Sequence, residues 1–482
     1  MTSPRDVDLI IRHAHLITVD DNETIIQDGA LAISAGAIVG VGADPDIIKN
    51  FVARQQIDAM GAPVHPGLVE SHLHCSYQLF RGALPDQLRE EDAFREFEGH
   101  FYRNVDDDDE YSSAVMAGME MIRHGTTAFL EPGTVLEVES AARAAELVGI
   151  RAVLADSFIW DNPEGLAMGK NANPARNTSM IPRAASDRAS VRARLGRILA
   201  RNDDVDALVT GHVALLGLGT ASTELMLEAK AIATAAGVVL NFHQSYSAAD
   251  TARDYDRLGA HPISALRDLG IVDAMTTMAH VNHITDDEFA AIVDSRAAVA
   301  WAPGASMMWG HGSTIEGRHA ELHRSGATIA LGSDSPNWSN SLDLMRQANL
   351  AVLTAREAHR DRSYLVAEDG LQMATRGGAR ALGLESRIGS LEVGKRADLV
   401  IHSLRRPELL PLTDPVRNLL YSAGSSTVDT VIVDGRVVLR GGEFVDLDEQ
   451  EQLVRASQRS RALLSRMGYT VEPNLRGGRS RS

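Results

Sequence analysis

The stretch HPGLVESHLHC, residues 65 to 75, ends an apolar run in two histidines separated by one leucine. Side chains at i and i+2 of a strand point to one face. His72 and His74 therefore present two imidazoles side by side, while Leu73 turns into the packing behind. That is half of a metal site. Further candidates stand on later apolar runs: His212 in VDALVTGHV, His243 closing GVVLNFH, His280 closing AMTTMAH and Asp334 closing ATIALGSD. Three imidazoles and one carboxylate make an N₃O donor set for a divalent ion of the zinc, iron or cobalt group, with a position open to water. The chemistry of such a site is hydrolysis, because the ion brings the pKa of its water from about 15.7 to about 7.

Those residues need elements that bring them together. Strand-like runs alternate with helical patterns, the signature of βα units. The runs are 64–74, 126–131, 150–158, 205–213, 237–243, 274–280, 297–302 and 327–334. Eight such units close an α/β fold of the TIM-like (β/α)₈ type, in which all strand ends share one rim. STELMLEAKAIATAAG fits one of the helices, with Gly237 as its C-cap. Short β segments with glycine turns over 8–44, 394–402 and 428–444 predict a small composite β-sandwich built from both termini. The expected organisation is residues 1–63 and 385–445 as the two parts of the sandwich, 64–384 as the barrel, and 446–482 as a helix with a polar tail. The basic end of that tail, RGGRSRS, is expected to be disordered.

Two connections, 75–105 and 161–184, are long enough to serve as lids on the C-terminal face. Candidate substrate contacts lie on them and on the strand ends: Gln78, Arg81, Arg183, His212, Tyr246, His283, Met307 and Trp309, with Met308 between the last two. Each has a plainer alternative. Arg81 fits a helix-end clamp, Arg183 a solvated arginine, His212 a buried hydrogen-bonded histidine, His283 a surface histidine, and the Met and Trp residues a core. His311, His319 and His323 stand in a polar stretch and read as surface. The acidic run Asp106 to Glu110 reads as the opening of a helix, where carboxylates are favoured.

The composition excludes several classes. An apolar fraction of 44% and a charged fraction of 23% are those of a globular protein. No apolar run reaches the length of about 18 residues that a membrane span needs, and the N-terminus carries charges where a signal peptide needs an apolar segment. Cys75 is the single cysteine, so no intrachain disulfide forms and a reducing, cytoplasmic location is expected. A net charge of −18 argues against nucleic acid and anionic membrane as partners and for a small-molecule substrate.

The chain resembles the amidohydrolase superfamily, and within it the triazine hydrolases and aromatic deaminases, along nearly its whole length. The marks are HPGLVESHLH, the strand-end His243, AHVNHITDDE (279–288), LGSDSPNWSNSLDL (331–344) and ARALGLESRIGSLEVGKRADLVI (379–401). The resemblance implies one divalent ion per subunit, zinc first with iron or cobalt as alternatives, held by His72, His74, His243 and Asp334. His280 would contact the activated water as proton carrier, and Asp334 would share in the transfer. It also implies a homo-oligomer, a dimer or higher. Two-metal members commonly bridge their ions with a carboxylated lysine on the fourth strand. Residues 201–220 contain none, and Lys49, Lys170, Lys230 and Lys395 all lie off the barrel strands, which argues for one metal.

The departures bear on substrate. Ring-acting relatives generally carry His-x-x-Glu at the fifth strand, the glutamate protonating a ring nitrogen; here Tyr246 takes that place. The loop WAPGASMMWGHG (301–312) replaces an Asn-Pro-x-x-Asn-like loop, and no Pro-His-x-x-Tyr pattern surrounds His212. These differences point to a small, rather apolar amide, urea or (thio)carbamate, in likeness to phenylurea and thiocarbamate hydrolases of xenobiotic degradation. The alternative is a deaminase or dechlorinase of a triazine, purine or pyrimidine. A non-catalytic barrel is the third reading, disfavoured by the intact donor set.

Overall fold

The computed structural model describes residues 3–86, 88, 97–161, 181, 183–184, 187–204 and 206–469. The basic tail, part of the first candidate lid and most of the second lie outside the described residues.

The chain opens with β1 (Arg5–Ile17), β2 (Ile25–Ser34), β3 (Ala37–Ala43), β4 (Phe51–Asp58) and β5 (Pro63–Pro66). It then runs through β6 (Leu68–Glu70), β7 (Thr126–Leu130), β8 (Arg151–Ala155), β9 (Val209–Gly217), β10 (Leu240–Gln244), β11 (Thr276–His280), β12 (Ala298–Trp301) and β13 (Thr328–Leu331). These eight strands form one sheet in strict chain order, and each pairs with the next in parallel. The two sheet edges meet where the Ser71 N–H donates to the Leu331 carbonyl at 3.0 Å and the Asp334 N–H to the His72 carbonyl at 2.9 Å. A (β/α)₈ barrel results. Most barrel strands are apolar and buried on both faces, as parallel strands sheathed in helices must be.

The last strands, β14 (Leu399–His402), β15 (Val428–Val433), β16 (Arg436–Arg440) and β17 (Glu443–Phe444), return to the first sheet. Its order is β17-β16-β15-β14-β5-β1-β2-β3, with β4 on β1, so both ends of the chain share one nine-stranded sheet. Alternation sorts its side chains: Leu9 and Ile11 enter one apolar cluster with Leu399 and Ile401, while Ile10 enters another with Ala30 and Ile47.

Of the strand boundaries that differ from those expected, two matter for the site. The run 64–74 is not one strand: Pro63–Pro66 belongs to the composite sheet and Leu68–Glu70 to the barrel. Gly67 separates them, and a Cβ there would stand 1.9 Å from Thr127 Oγ1, so only glycine permits the approach. The fourth barrel strand runs to Gly217 rather than Val213, which moves His212 to mid-strand and makes Leu216–Gly217 its rim. The helix Thr223–Ala236 is capped by the Ser222 side chain at one end and by left-handed Gly237 (φ 65°) at the other. Among the described residues no helix is long and apolar enough to cross a membrane.

One buried ion pair ties barrel to sheet. Arg151 on β8, its side chain 3% exposed, donates to Asp398 at 3.0 and 3.1 Å and to Asp434 at 2.9 Å. Replacing Arg151 with methionine leaves the Asp398 carboxylate buried beside an apolar chain. Urea denaturation of Arg151→Met should show a loss of about 3–5 kcal/mol; a loss below about 1 kcal/mol would contradict this account.

Candidate active site

The rim gathers its polar side chains at one point. Ligating atoms of His72, His74 and Asp334 lie within 4.8 Å of one another, as do those of His72, His243 and His280. The His72 and His74 rings meet edge-on with centroids 4.9 Å apart, and His280 stands 5.0 Å from His72. Asp334 Oδ1 is 3.6 Å from His74 Nε2 and 3.8 Å from His72 Nε2. The backbone turns sharply to achieve this: His280 (φ 73°), Val281 (φ 56°) and Asp334 (φ 62°) all occupy the left-handed region that non-glycine residues avoid.

Hydrogen bonds fix which nitrogen faces inward. His243 Nδ1 donates to the Leu216 carbonyl at 2.6 Å, and His74 Nδ1 bonds Thr134 Oγ1 at 2.8 Å. The His243 Nε2 then carries a lone pair, and it lies 3.2 Å from the Nε2 of His74. Burial holds His72, His74 and His280 well below the ordinary imidazole pKa and lowers that of His243, so all four rings are neutral near pH 7. Both His72 nitrogens are buried without a hydrogen-bond partner among the described residues. An orphaned polar atom of this kind costs about 1–3 kcal/mol, and a cation bound among these lone pairs removes the cost. The donor set fits a divalent metal.

Two buried carboxylates brace the rim from behind. Glu70 accepts the Ser333 N–H at 2.9 and 3.0 Å and the His72 N–H at 3.1 Å, joining the backbones that carry His72 and Asp334. Glu131 accepts the N–H groups of Gly133 and Thr134 at 2.8 and 2.9 Å. Burial pushes each carboxyl up to about 7, and these donors oppose the shift by favouring the charged form.

A cavity of about 140 Å³ opens over the cluster. His74, His243, His280 and Asp334 form its floor. Tyr77, Tyr102, Phe158 and Trp338 give it flat walls, and Glu98, Tyr246, Asp250, Arg253 and Asp254 a polar one. Trp338 Nε1 donates to Glu98 at 2.8 Å, and Arg253 donates to Asp250 at 3.0 Å. Burial, and then the neighbouring Asp254, push the Asp250 carboxyl up to about 7.

Tyr246 lines this cavity, its ring 6.0 Å from that of His280. The other candidate substrate contacts do not. Gln78 and Arg81 sit on and beside a 3₁₀ helix over Cys75–Phe80, and both bond the Glu120 carboxylate. Arg183 bonds the Val105 carbonyl and pairs with Asp107. His212 is buried behind the rim, with Nε2 on the Glu131 carbonyl at 2.9 Å. His283 is half-buried outside the cavity lining. Met307 and Met308 point outward because Pro303 starts a helix where a loop is expected; they are 46% and 52% exposed. Trp309 packs on Trp338, with ring centroids 4.3 Å apart, instead of on the cavity.

Two histidines read as surface are not. His311 lines the cavity. His319 is buried, stacked on Trp301 at 4.7 Å, and bonds the His280 carbonyl at 2.6 Å. His323 bonds Asp369 at 3.1 Å. The sequence reading missed Glu98, Thr134, Asp250, Arg253, Asp254 and Trp338. Asp250 in the first turn of Ala248–Leu258 reads as ordinary helix capping.

Comparison with known proteins adds to this geometry. The amidohydrolase family model matches residues 64–438. A 5-methylthioadenosine/S-adenosylhomocysteine deaminase of Desulforudis audaxviator is 31% identical over 456 residues, covering 95% of this chain and 99% of its own. The crystal structure of an adenosine deaminase from Xanthomonas campestris with bound zinc superposes with a TM-score of 0.86 at 26% identity, over 96% of this chain and 100% of that one. An atrazine chlorohydrolase from Arthrobacter aurescens complexed with zinc has the same fold, with a TM-score of 0.81 at 22% identity over 94% and 100% of the two chains.

If the cluster binds a metal, adding zinc to chelator-stripped protein should raise its melting temperature by mass action. In Asp334→Asn the rise should shrink markedly. An unchanged melting curve in wild-type protein would show that the cluster is not a metal site.

Proposed function

Because the chain belongs to the amidohydrolase family, we propose that it is a hydrolytic deaminase of an aminated nitrogen heterocycle of the adenine-nucleoside class, working with one zinc ion. The observation that carries the reading is the cavity: flat aromatic walls for a planar ring stand above the donor cluster, and a wall of carboxylates stands beside it. The named activity of the deaminase relative and the zinc in the adenosine deaminase structure support it. The amide, urea or thiocarbamate reading rested on Tyr246, on the missing Asn-Pro-x-x-Asn-like and Pro-His-x-x-Tyr patterns, and on Met307, Met308 and Trp309 as added apolar contacts, and none of these last three lines the cavity. It keeps Tyr246 in its favour, since a phenol of pKa about 10 is a poor acid at neutral pH.

His72, His74, His243 and Asp334 are the proposed ligands. When bound, a divalent ion supplies an acidified water and polarises the attacked carbon's substituents. His280 takes a proton from the attacking water and delivers it to the departing amine. Its neutral state, enforced by burial, is the form able to accept that proton. Attack on a ring carbon pushes an electron pair onto the adjacent ring nitrogen, which then needs a proton. Asp250 is the wall residue suited to give it, because its carboxyl titrates at about 7 rather than in the ordinary carboxylate range. The second proton of the water restores Asp250 as the carbonyl forms, so ammonia and the oxo product balance the water consumed.

An ammonia-release assay over adenosine, 5′-deoxyadenosine and 5-methylthioadenosine, set against phenylureas and thiocarbamates, tests the reading. Turnover of at least one nucleoside is expected; turnover of ureas or thiocarbamates alone would replace this proposal with the other. His280→Ala should retain its metal while losing on the order of 10²-fold in kcat, and full activity would remove the proton carrier. An acid that must be protonated loses activity as pH rises through its pKa. Wild-type kcat should therefore fall above about pH 7, and Asp250→Asn should be slow at every pH and lack that limb. An Asp250→Asn profile identical to wild type would dismiss Asp250 as the donor.

A further inference from the structure

Behind His74 lies a connected pair of side chains, one of which, Thr134, also lines the cavity. Thr134 and Glu131 are 3% and 1% exposed. Both belong to the loop that follows β7. The Thr134 hydroxyl lies 2.6 Å from Glu131 Oε1 and its oxygen 2.8 Å from His74 Nδ1. The Glu131 side-chain oxygens already accept main-chain N–H groups from Gly133 and Thr134, so they serve as acceptors in this loop. A hydroxyl has one proton. With that proton directed at Glu131, the Thr134 oxygen can only accept, and the atom it accepts from is His74 Nδ1.

Direction therefore passes along the chain of bonds: Glu131 orients the Thr134 hydroxyl, and Thr134 requires the proton of His74 to sit on Nδ1. Nε2 is left bare, facing Asp334 at 3.6 Å and His243 Nε2 at 3.2 Å. His212 steadies the base of the relay by donating to the Glu131 carbonyl at 2.9 Å. We propose that Thr134 and Glu131 are positioning residues that select the tautomer and aim of His74, and through it the affinity of the site for its metal. The inference rests on the reading that His74 is a metal ligand. His243 reaches the same tautomer through a main-chain carbonyl, and His72 has no such partner. Among the proposed histidine ligands, His74 is thus the one whose tautomer a side-chain substitution can release.

The test compares wild type, Thr134→Val, which keeps shape but loses the hydroxyl, and Thr134→Ser, which keeps the hydroxyl. Zinc affinity is read by chelator competition, and the protonated nitrogen of His74 in the metal-free protein by long-range ¹H–¹⁵N correlation. Thr134→Val should weaken zinc binding by about 10–100-fold and populate the Nε2–H form. Thr134→Ser should restore both readouts to near wild type, with metal-free melting temperatures alike in all three proteins. Wild-type affinity in Thr134→Val, or an equal loss in Thr134→Ser, would overturn the relay. Absence of zinc binding in wild type would instead remove the metal reading beneath it, a different and distinguishable failure.

Discussion

Four neutral imidazoles and a carboxylate converging where water is nearly excluded is the constraint on which the structure turns. Burial keeps His72, His74, His243 and His280 uncharged. The outward bonds of His74 and His243 then commit their protons to Nδ1, so what meets in the middle is a set of lone pairs. Two Nε2 lone pairs 3.2 Å apart repel. A divalent cation between such groups reverses the sign of the interaction, because each lone pair becomes a donor to it. The cluster is thus an arrangement that makes physical sense with an ion and costs stability without one.

The surrounding backbone is shaped by the same requirement. His280 and Asp334 take left-handed conformations that ordinary side chains avoid, and each would relax if its neighbours allowed it. They do not. His319 holds the His280 carbonyl, and Glu70 clamps the peptide groups of His72 and Ser333 across the seam where the barrel closes. Gly332 sits at that seam, where a Cβ would stand 2.8 Å from the His72 Cβ. Strain at the rim is therefore sustained by buried hydrogen bonds below it, which is how a barrel holds a donor set rigid enough to select a metal.

The parts of this arrangement that the sequence displays are those governed by strand periodicity. His243, His280 and Asp334 close apolar runs, and a parallel barrel brings such ends to one rim, so their meeting follows from pattern alone. The position of His212 was hidden for the same reason in reverse: its run continues four residues further, to Gly217, and nothing in VTGHVALLG marks where pairing stops. Met307 and Trp309 lie outside the cavity lining because Pro303 begins a helix, and a helix turns successive residues through about 100° instead of leaving them on a loop facing inward. Thr134 and Glu131 were illegible for a deeper reason. Their role depends on which atom of a short loop reaches which ring nitrogen, and in the letters EPGT that loop is simply a turn.

This contrast separates what is constrained in the molecule from what is variable. The floor of the cavity is set by strand ends whose positions the hydrogen-bonded barrel dictates. The walls come from elements with no such obligation: the first turn of Ala248–Leu258, the segment carrying Glu98, and the residues after Asp334 that deliver Trp338. Tyr246, Asp250, Arg253 and Asp254 lie within nine positions along one connection after β10. In the proposed function, substitutions there alter charge and shape against the substrate, while the donor set stays on the strand ends. A donor set that cannot drift, beside a wall that can, lets one hydrolytic chemistry be directed to different amines; in the proposed function the acids and aromatic rings of this wall direct it toward a flat ring with polar substituents.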